Sequence, residues 1–172
     1  MEQITLDEFR SIKGFVKADV EREIQLAKVS DTYWVYVLNL LGINRGGGNM
    51  MAALTLLEYT EFVGHTYAQI KGLKKYDPFT EGFLQMNQSD YKKLPNDPMK
   101  IHSIIRNSLI YPVKGSPNVA IGMLDTNFGV KFNTNAGIAV KENIWYFCIE
   151  KYYNDLMQVF TEIEKYLEPS GI

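Results

Sequence analysis

Ile104-Ile105-Arg106-Asn107-Ser108-Leu109-Ile110-Tyr111, followed by Pro112, marks the point at which this chain changes character. Before it, apolar residues recur at helical spacing; after it come short β-rich runs separated by Asn, Gly and Asp. Pro98 suits the first turn of a helix over 99–110, and Pro112 biases Tyr111 away from helical geometry, so the helix ends there. Within it Arg106 is a permanent charge in an apolar setting. Burying a guanidinium requires acceptors or an anionic ligand, which makes this segment the first candidate for function.

Upstream, Phe9, Ile12, Val16, Val20, Ile24 and Ala27 fall at steps of three and four inside a segment spanning 6–43, and Thr5 with Glu8 forms a capping-box pattern at its start. The run 33–41 is apolar almost all round, as the buried half of a long helix or as a second helix after a break at Ser30-Asp31. Gly42 to Asn49 is a loop between antiparallel helices. The second long helix follows over 50–74, its apolar residues interrupted by Glu58 and Glu61, and the stretch 75–98, with Pro78, Pro95 and Pro98, has room for one short helix over 79–91.

Downstream, the runs 119–124, 129–132, 137–140 and 144–147 predict a small antiparallel unit. Tyr152, Tyr153, Leu156, Val159, Phe160, Ile163 and Leu167 then form the apolar stripe of a closing helix. The expectation is a single mainly α (α+β) domain over 1–172: helical over 1–112, a small β unit over 117–148, and a closing helix over 149–168.

Composition narrows the function classes. With 172 residues, 46% of them hydrophobic, the chain can bury a core without metal or disulfide staples. A net charge of −2 with intermixed signs gives no global basic footprint, so any nucleic-acid contact has to be local. One cysteine and two histidines without ligand spacing argue against a metal, and no cofactor motif is present. Cys148, between Phe147 and Ile149, reads as a small buried hydrophobe. The start Met1-Glu2-Gln3-Ile4-Thr5 lacks a secretory pattern and no apolar run approaches ~18 residues, so a cytoplasmic protein without membrane contact is expected.

The segment Arg106-Asn107-Ser108-Leu109-Ile110-Tyr111, with the loop and helix Gly48-Asn49-Met50-Met51 through Glu61, resembles the HEPN superfamily. That family's motif is an arginine, often a polar neighbour, and a histidine near a helix end. Arg106 and Asn107 match it, and Tyr111 stands where the histidine belongs. The resemblance implies a HEPN-like helical bundle, a homodimer, and a surface for RNA or a nucleotide-type anion. In the active members it implies a metal-independent ribonuclease with a composite site across the dimer. Tyrosine titrates near ~10, too high for efficient acid–base work at neutral pH, so a non-catalytic binding role is the expectation here.

His102, four residues before Arg106 and on the same helix face, is the available imidazole for a catalytic alternative. Tyr111, five residues on, points about 140° away from Arg106 on an ideal helix. The structural alternative for Arg106 is an ion pair with Glu58 or Glu61 that ties two helices together. Arg45 and Asn49, beside Gly46-Gly47-Gly48, are further candidate anion contacts, although the loop lacks Gly-Lys-Ser/Thr and reads first as a helix connection. His65 is expected to be exposed. The eleven tyrosines suit core boundaries and interfaces.

Overall fold

A computed structural model describes residues 4–28, 47–86, 90–95, 97–110, 118–124 and 135–168, with the side chains of 47–49 and 108–110 excepted. The apolar run 33–41 and the β-rich run 129–132 lie outside the described residues.

Helix α1 spans Leu6–Val16. Its first turn is closed by the capping box: Glu8 donates its N–H to the Thr5 hydroxyl, and the Thr5 N–H donates to Glu8 Oε2 at 2.9 Å. The chain continues through one π turn, Lys17–Glu21, into α2, Arg22–Lys28. Val16, Val20 and Ile24 are spaced by four and all are buried. Steps of four overrun an α-helical turn by about 40°, and the wider π turn absorbs that drift so the stripe stays on the core.

Helix α3, Gly47–Lys71, lies at the centre of the bundle and packs against every other long helix. It stops at Gly72, whose φ of +65° suits glycine, with the Leu73 N–H returning to the Ala68 carbonyl at 2.9 Å. Phe62 of α3 meets Phe9 of α1 and Phe160 of the last helix at ring separations of 5.8 and 6.2 Å. The short helix α4, Pro78–Leu84, begins with Pro78 after Asp77, whose carboxylate accepts the Thr80 N–H at 2.7 Å.

Helices α3 and α4 touch backbone to backbone. A Cβ on Gly64 would lie 1.8 Å from the Pro78 carbonyl oxygen, and one on Gly82 would lie 2.1 Å from that of Thr60. Helix α5, Pro98–Ile110, starts where Asp97 accepts the Lys100 N–H at 3.0 Å and packs on α4 and α3.

Strands β1 (Asn118–Gly122), β2 (Ile138–Lys141) and β3 (Ile144–Cys148) form one sheet in the order β1-β3-β2. The expected antiparallel pairing holds for β2 and β3, whereas β1 runs parallel to β3, so the sheet is mixed. Glu142 and Asn143, at φ of 52° and 62°, make the two-residue turn between β2 and β3. Helix α6, Ile149–Leu167, follows β3 without a linker and buries Tyr152, Leu156, Val159, Phe160 and Ile163. Arg10 and Lys13 of α1 both reach Glu164 on its outer side. The result is the expected mainly α fold with a small β unit before the closing helix.

The glycine contacts set a sharp stability ranking. Gly82→Ala and Gly64→Ala force the α3–α4 backbones apart and should each cost about 1–3 kcal/mol. Gly14→Ala, where a Cβ meets nothing within 4 Å, should gain about 0.5–1 kcal/mol from helix propensity. Urea midpoints of the three variants against wild type check the order.

Candidate functional site

Helices α3 and α5 run antiparallel where their polar faces meet. Arg106 Nη2 sits 3.4 Å from Glu58 Oε1, and His102 Nε2 sits 3.3 Å from Glu61 Oε1. Spacings of three on α3 and four on α5 bring the four side chains into one two-rung ladder. Asp77, ahead of α4, adds a third carboxylate near enough to influence both Glu61 and His102.

The rungs differ in character. Arg106 is not buried as the sequence suggested: its side chain is 45% exposed and Glu58's is 56% exposed. The apolar residues of α5 turn to the core through Ile101 and Ile105, while Arg106 and Asn107 face outward. Such an open ion pair contributes little to stability and is readily exchanged for another partner.

The His102 rung is half-enclosed. Its ring stacks on Phe79 at 4.4 Å and 12°, and its Nε2 atom is buried and makes no hydrogen bond, Glu61 lying close but off the line of one. Burial, and then the neighbouring Arg106 guanidinium, hold the imidazole below its ordinary range, against the opposing pull of Asp77 and Glu58. Burial, and then Glu58, push the Glu61 carboxyl up. The imidazole is thereby biased toward its neutral form and the carboxyl toward its protonated one.

Of the remaining sequence candidates, Tyr111 and Arg45 lie outside the described residues. Asn49 belongs to the first turn of α3, and its side chain is likewise outside the description. His65 is not the freely exposed residue expected: Tyr76 Oη lies 2.6 Å from its Nδ1 and Gln69 Nε2 lies 3.2 Å from its Nε2. Among the described residues no group of three or more His, Cys, Asp or Glu could hold a metal, and none of the described helices is long and apolar enough to cross a membrane.

A second polar cluster is wholly internal. Asp155, 4% exposed on α6, accepts from the Tyr91 hydroxyl at 2.6 Å and the Gly137 N–H at 3.3 Å, and the same N–H reaches the Tyr91 oxygen at 3.0 Å. Burial, reinforced by Asp155, raises the Tyr91 phenol well above its usual range, so it remains a donor. Nearby, the Thr60 and Tyr152 hydroxyls meet at 2.9 Å. Among the described residues it is Asp155, and not Arg106, that is the charged side chain buried within an apolar helix face. The signal was present in α6, where Asp155 falls between Tyr152 and Leu156 on the buried stripe.

No family model, curated protein or solved structure matches this chain.

Two outcomes follow from these clusters. Since His102's pKa is depressed from 6.5, its stabilising effect is complete above that value and is lost as pH falls through the lowered one; Glu61, raised from 4.5, has the opposite sign. His102→Gln should accordingly lie closer to wild type in urea midpoint at pH 5 than at pH 7, with an equal gap at both counting against the assignment. In the internal cluster, Tyr91→Phe removes a bond to a carboxylate and should cost about 1.5–3 kcal/mol, whereas Tyr152→Phe removes a neutral bond and should cost about 0.5–1.5 kcal/mol. Equilibrium unfolding of both variants tests that order.

Proposed function

We propose that this chain is a HEPN-like binding protein without nuclease activity, and that Arg106 with Asn107 receives an RNA or nucleotide-type anion. The carrying observation is the open ion pair: an exposed guanidinium 3.4 Å from a carboxylate that is itself 56% exposed. A phosphate offers the planar guanidinium two acceptors in place of Glu58, and the adjacent Asn107 amide adds a donor. Glu58 acts as a competitor that keeps affinity low until a multiply charged ligand arrives. The ligand contact is local, in keeping with a chain whose net charge is −2. Pairing as a homodimer is part of the proposal, since two Arg106 sites on one assembly would compensate for the carboxylates around each.

A binding role is preferred to catalysis because His102 directs a buried Nε2 toward Glu61 instead of toward solvent. A general acid or base must reach the proton that it moves. The second reading, a metal-independent ribonuclease, is favoured by one observation: an imidazole held below its ordinary range and a carboxyl pushed above its own stand 3.3 Å apart beside the arginine. In it His102, or Tyr111, which follows Ile110 in the sequence, would assist Arg106 in a composite dimer site.

Titration with a labelled single-stranded RNA in chelator, read by anisotropy and by gel, separates these. Arg106→Ala should weaken binding by about tenfold or more, and Glu58→Gln should strengthen it several-fold by removing the competing charge. Intact RNA throughout supports the binding role. Cleavage that survives chelator and disappears in Arg106→Ala would replace it with the nuclease, and affinity unaffected by either substitution would remove Arg106 from the site.

A further inference from the structure

The inner rung of the α3–α5 ladder is held in a state that one proton can change. His102 Nε2 is buried without a hydrogen bond, although Glu61 Oε1 lies 3.3 Å away. A buried polar atom without a partner is costly, and a proton on that nitrogen would face the carboxylate as a charge-assisted donor. The ring also stacks on Phe79 at 4.4 Å and 12°, and an aromatic face attracts an imidazolium more than a neutral ring.

Protonation is opposed by burial and by one neighbouring cation. The groups whose charge reaches His102 are Arg106 on its own helix, Glu58 and Glu61 on α3, and Asp77 ahead of α4. Of these four only Arg106 is positive, and after burial it is what holds the imidazole below its ordinary range. Arg106 and His102 lie four residues apart on one face of α5, so whatever neutralises the guanidinium relieves the imidazole. Glu58 does so in part, at 3.4 Å and open to solvent. A phosphate seated on Arg106 takes that place, and Glu58, displaced, stays on the same face. The bound anion therefore adds negative charge to the ladder beyond what it replaces. Three carboxylates then crowd around one guanidinium and its anion, and the nearest compensation is a proton on the inner rung.

We propose that binding of a phosphate-bearing anion at Arg106 is coupled to uptake of a proton by the His102–Glu61 pair, so that the site tightens on acidification. This rests on Arg106 being the anion site, as proposed above. His102 acts through charge and does not touch the ligand. Reciprocity fixes the sign: an anion that favours the proton is itself held more tightly when the proton is present. The free imidazole titrates below 6.5 and the bound one nearer to it, so affinity rises as pH falls through that window and is level above it.

Two measurements test the coupling, the first without ligand. Imidazole resonances of the full chain are followed by NMR against pH, with His65→Gln distinguishing the two histidines. Arg106→Gln, at an exposed ion pair, should move the His102 midpoint upward by about 0.5 pH or more. In the second, cyanine-labelled oligouridylate with a 5′-hydroxyl, which has no group titrating between pH 5 and 7.5, is bound to the full chain and read by anisotropy. The gain in affinity from pH 7.5 to pH 5 should be about threefold or more larger in wild type and in His65→Gln than in His102→Gln. Should His102→Gln lose its wild-type circular dichroism, the His102 midpoint of wild type with and without saturating oligouridylate replaces it, and should rise on binding. An unmoved midpoint in Arg106→Gln overturns the coupling whatever the RNA does, and so do equal gains in wild type and His102→Gln or a midpoint unchanged by RNA. A midpoint that moves in Arg106→Gln while RNA affinity is indifferent to that substitution overturns the proposal through its other premise, the placement of the anion at Arg106.

Discussion

The Asp155 carboxylate, shut away inside α6, is the constraint on which the arrangement of helices and sheet depends. It accepts from the Tyr91 hydroxyl and the Gly137 N–H, groups that come from a 3₁₀ turn and from the entrance to β2. A buried carboxylate without donors would be very costly, so only a fold that brings these segments to α6 is tolerable. Hydrophobic contact alone holds surfaces together without fixing their register. Here the register is fixed further by Gly137, where a Cβ would lie 2.3 Å from the Tyr152 N. The sheet is thereby locked onto the first turns of the closing helix.

With the core organised from that side, the outer rung of the α3–α5 face carries little structural duty. Its outer rung, Arg106 with Glu58, is open to solvent and contributes little to folding, while its inner rung, His102 with Glu61, is half-enclosed against Phe79. This gradient from exposed charge to enclosed, neutral-leaning acid and base is what makes the face a candidate for recognition. It also explains why an arginine in an apolar-looking helix needs no buried partner: two residues of that helix, Ile101 and Ile105, supply its core contact and Arg106 lies on the other side.

Much of the fold was legible because its signals are local. The Thr5–Glu8 capping box, the Pro98 start of α5 and the stripe of α6 each read directly from neighbouring residues, and the closing helix starts one turn before the stripe and ends with it at Leu167. What sequence could not supply was pairing at a distance. The parallel partnership of β1 with β3 depends on a long connection, and the Gly64–Gly82 contact depends on two helices crossing with no side chain between them. The same holds for the site: Arg106, His102, Glu58 and Glu61 were visible as candidates, but Phe79 and Asp77, which enclose and bias His102, come from a separate helix and its cap.

The central claim is that recognition occurs at the exposed rung of the α3–α5 ladder and not at the internal cluster. Its most direct test is an amide nitrogen–proton spectrum recorded during titration with single-stranded RNA. The account predicts progressive shifts centred on Arg106 and Asn107 and on the facing turn around Glu58, with Gly137 and Asp155 unmoved. Shifts centred on the Asp155 cluster, or no shifts at saturating RNA, would contradict it.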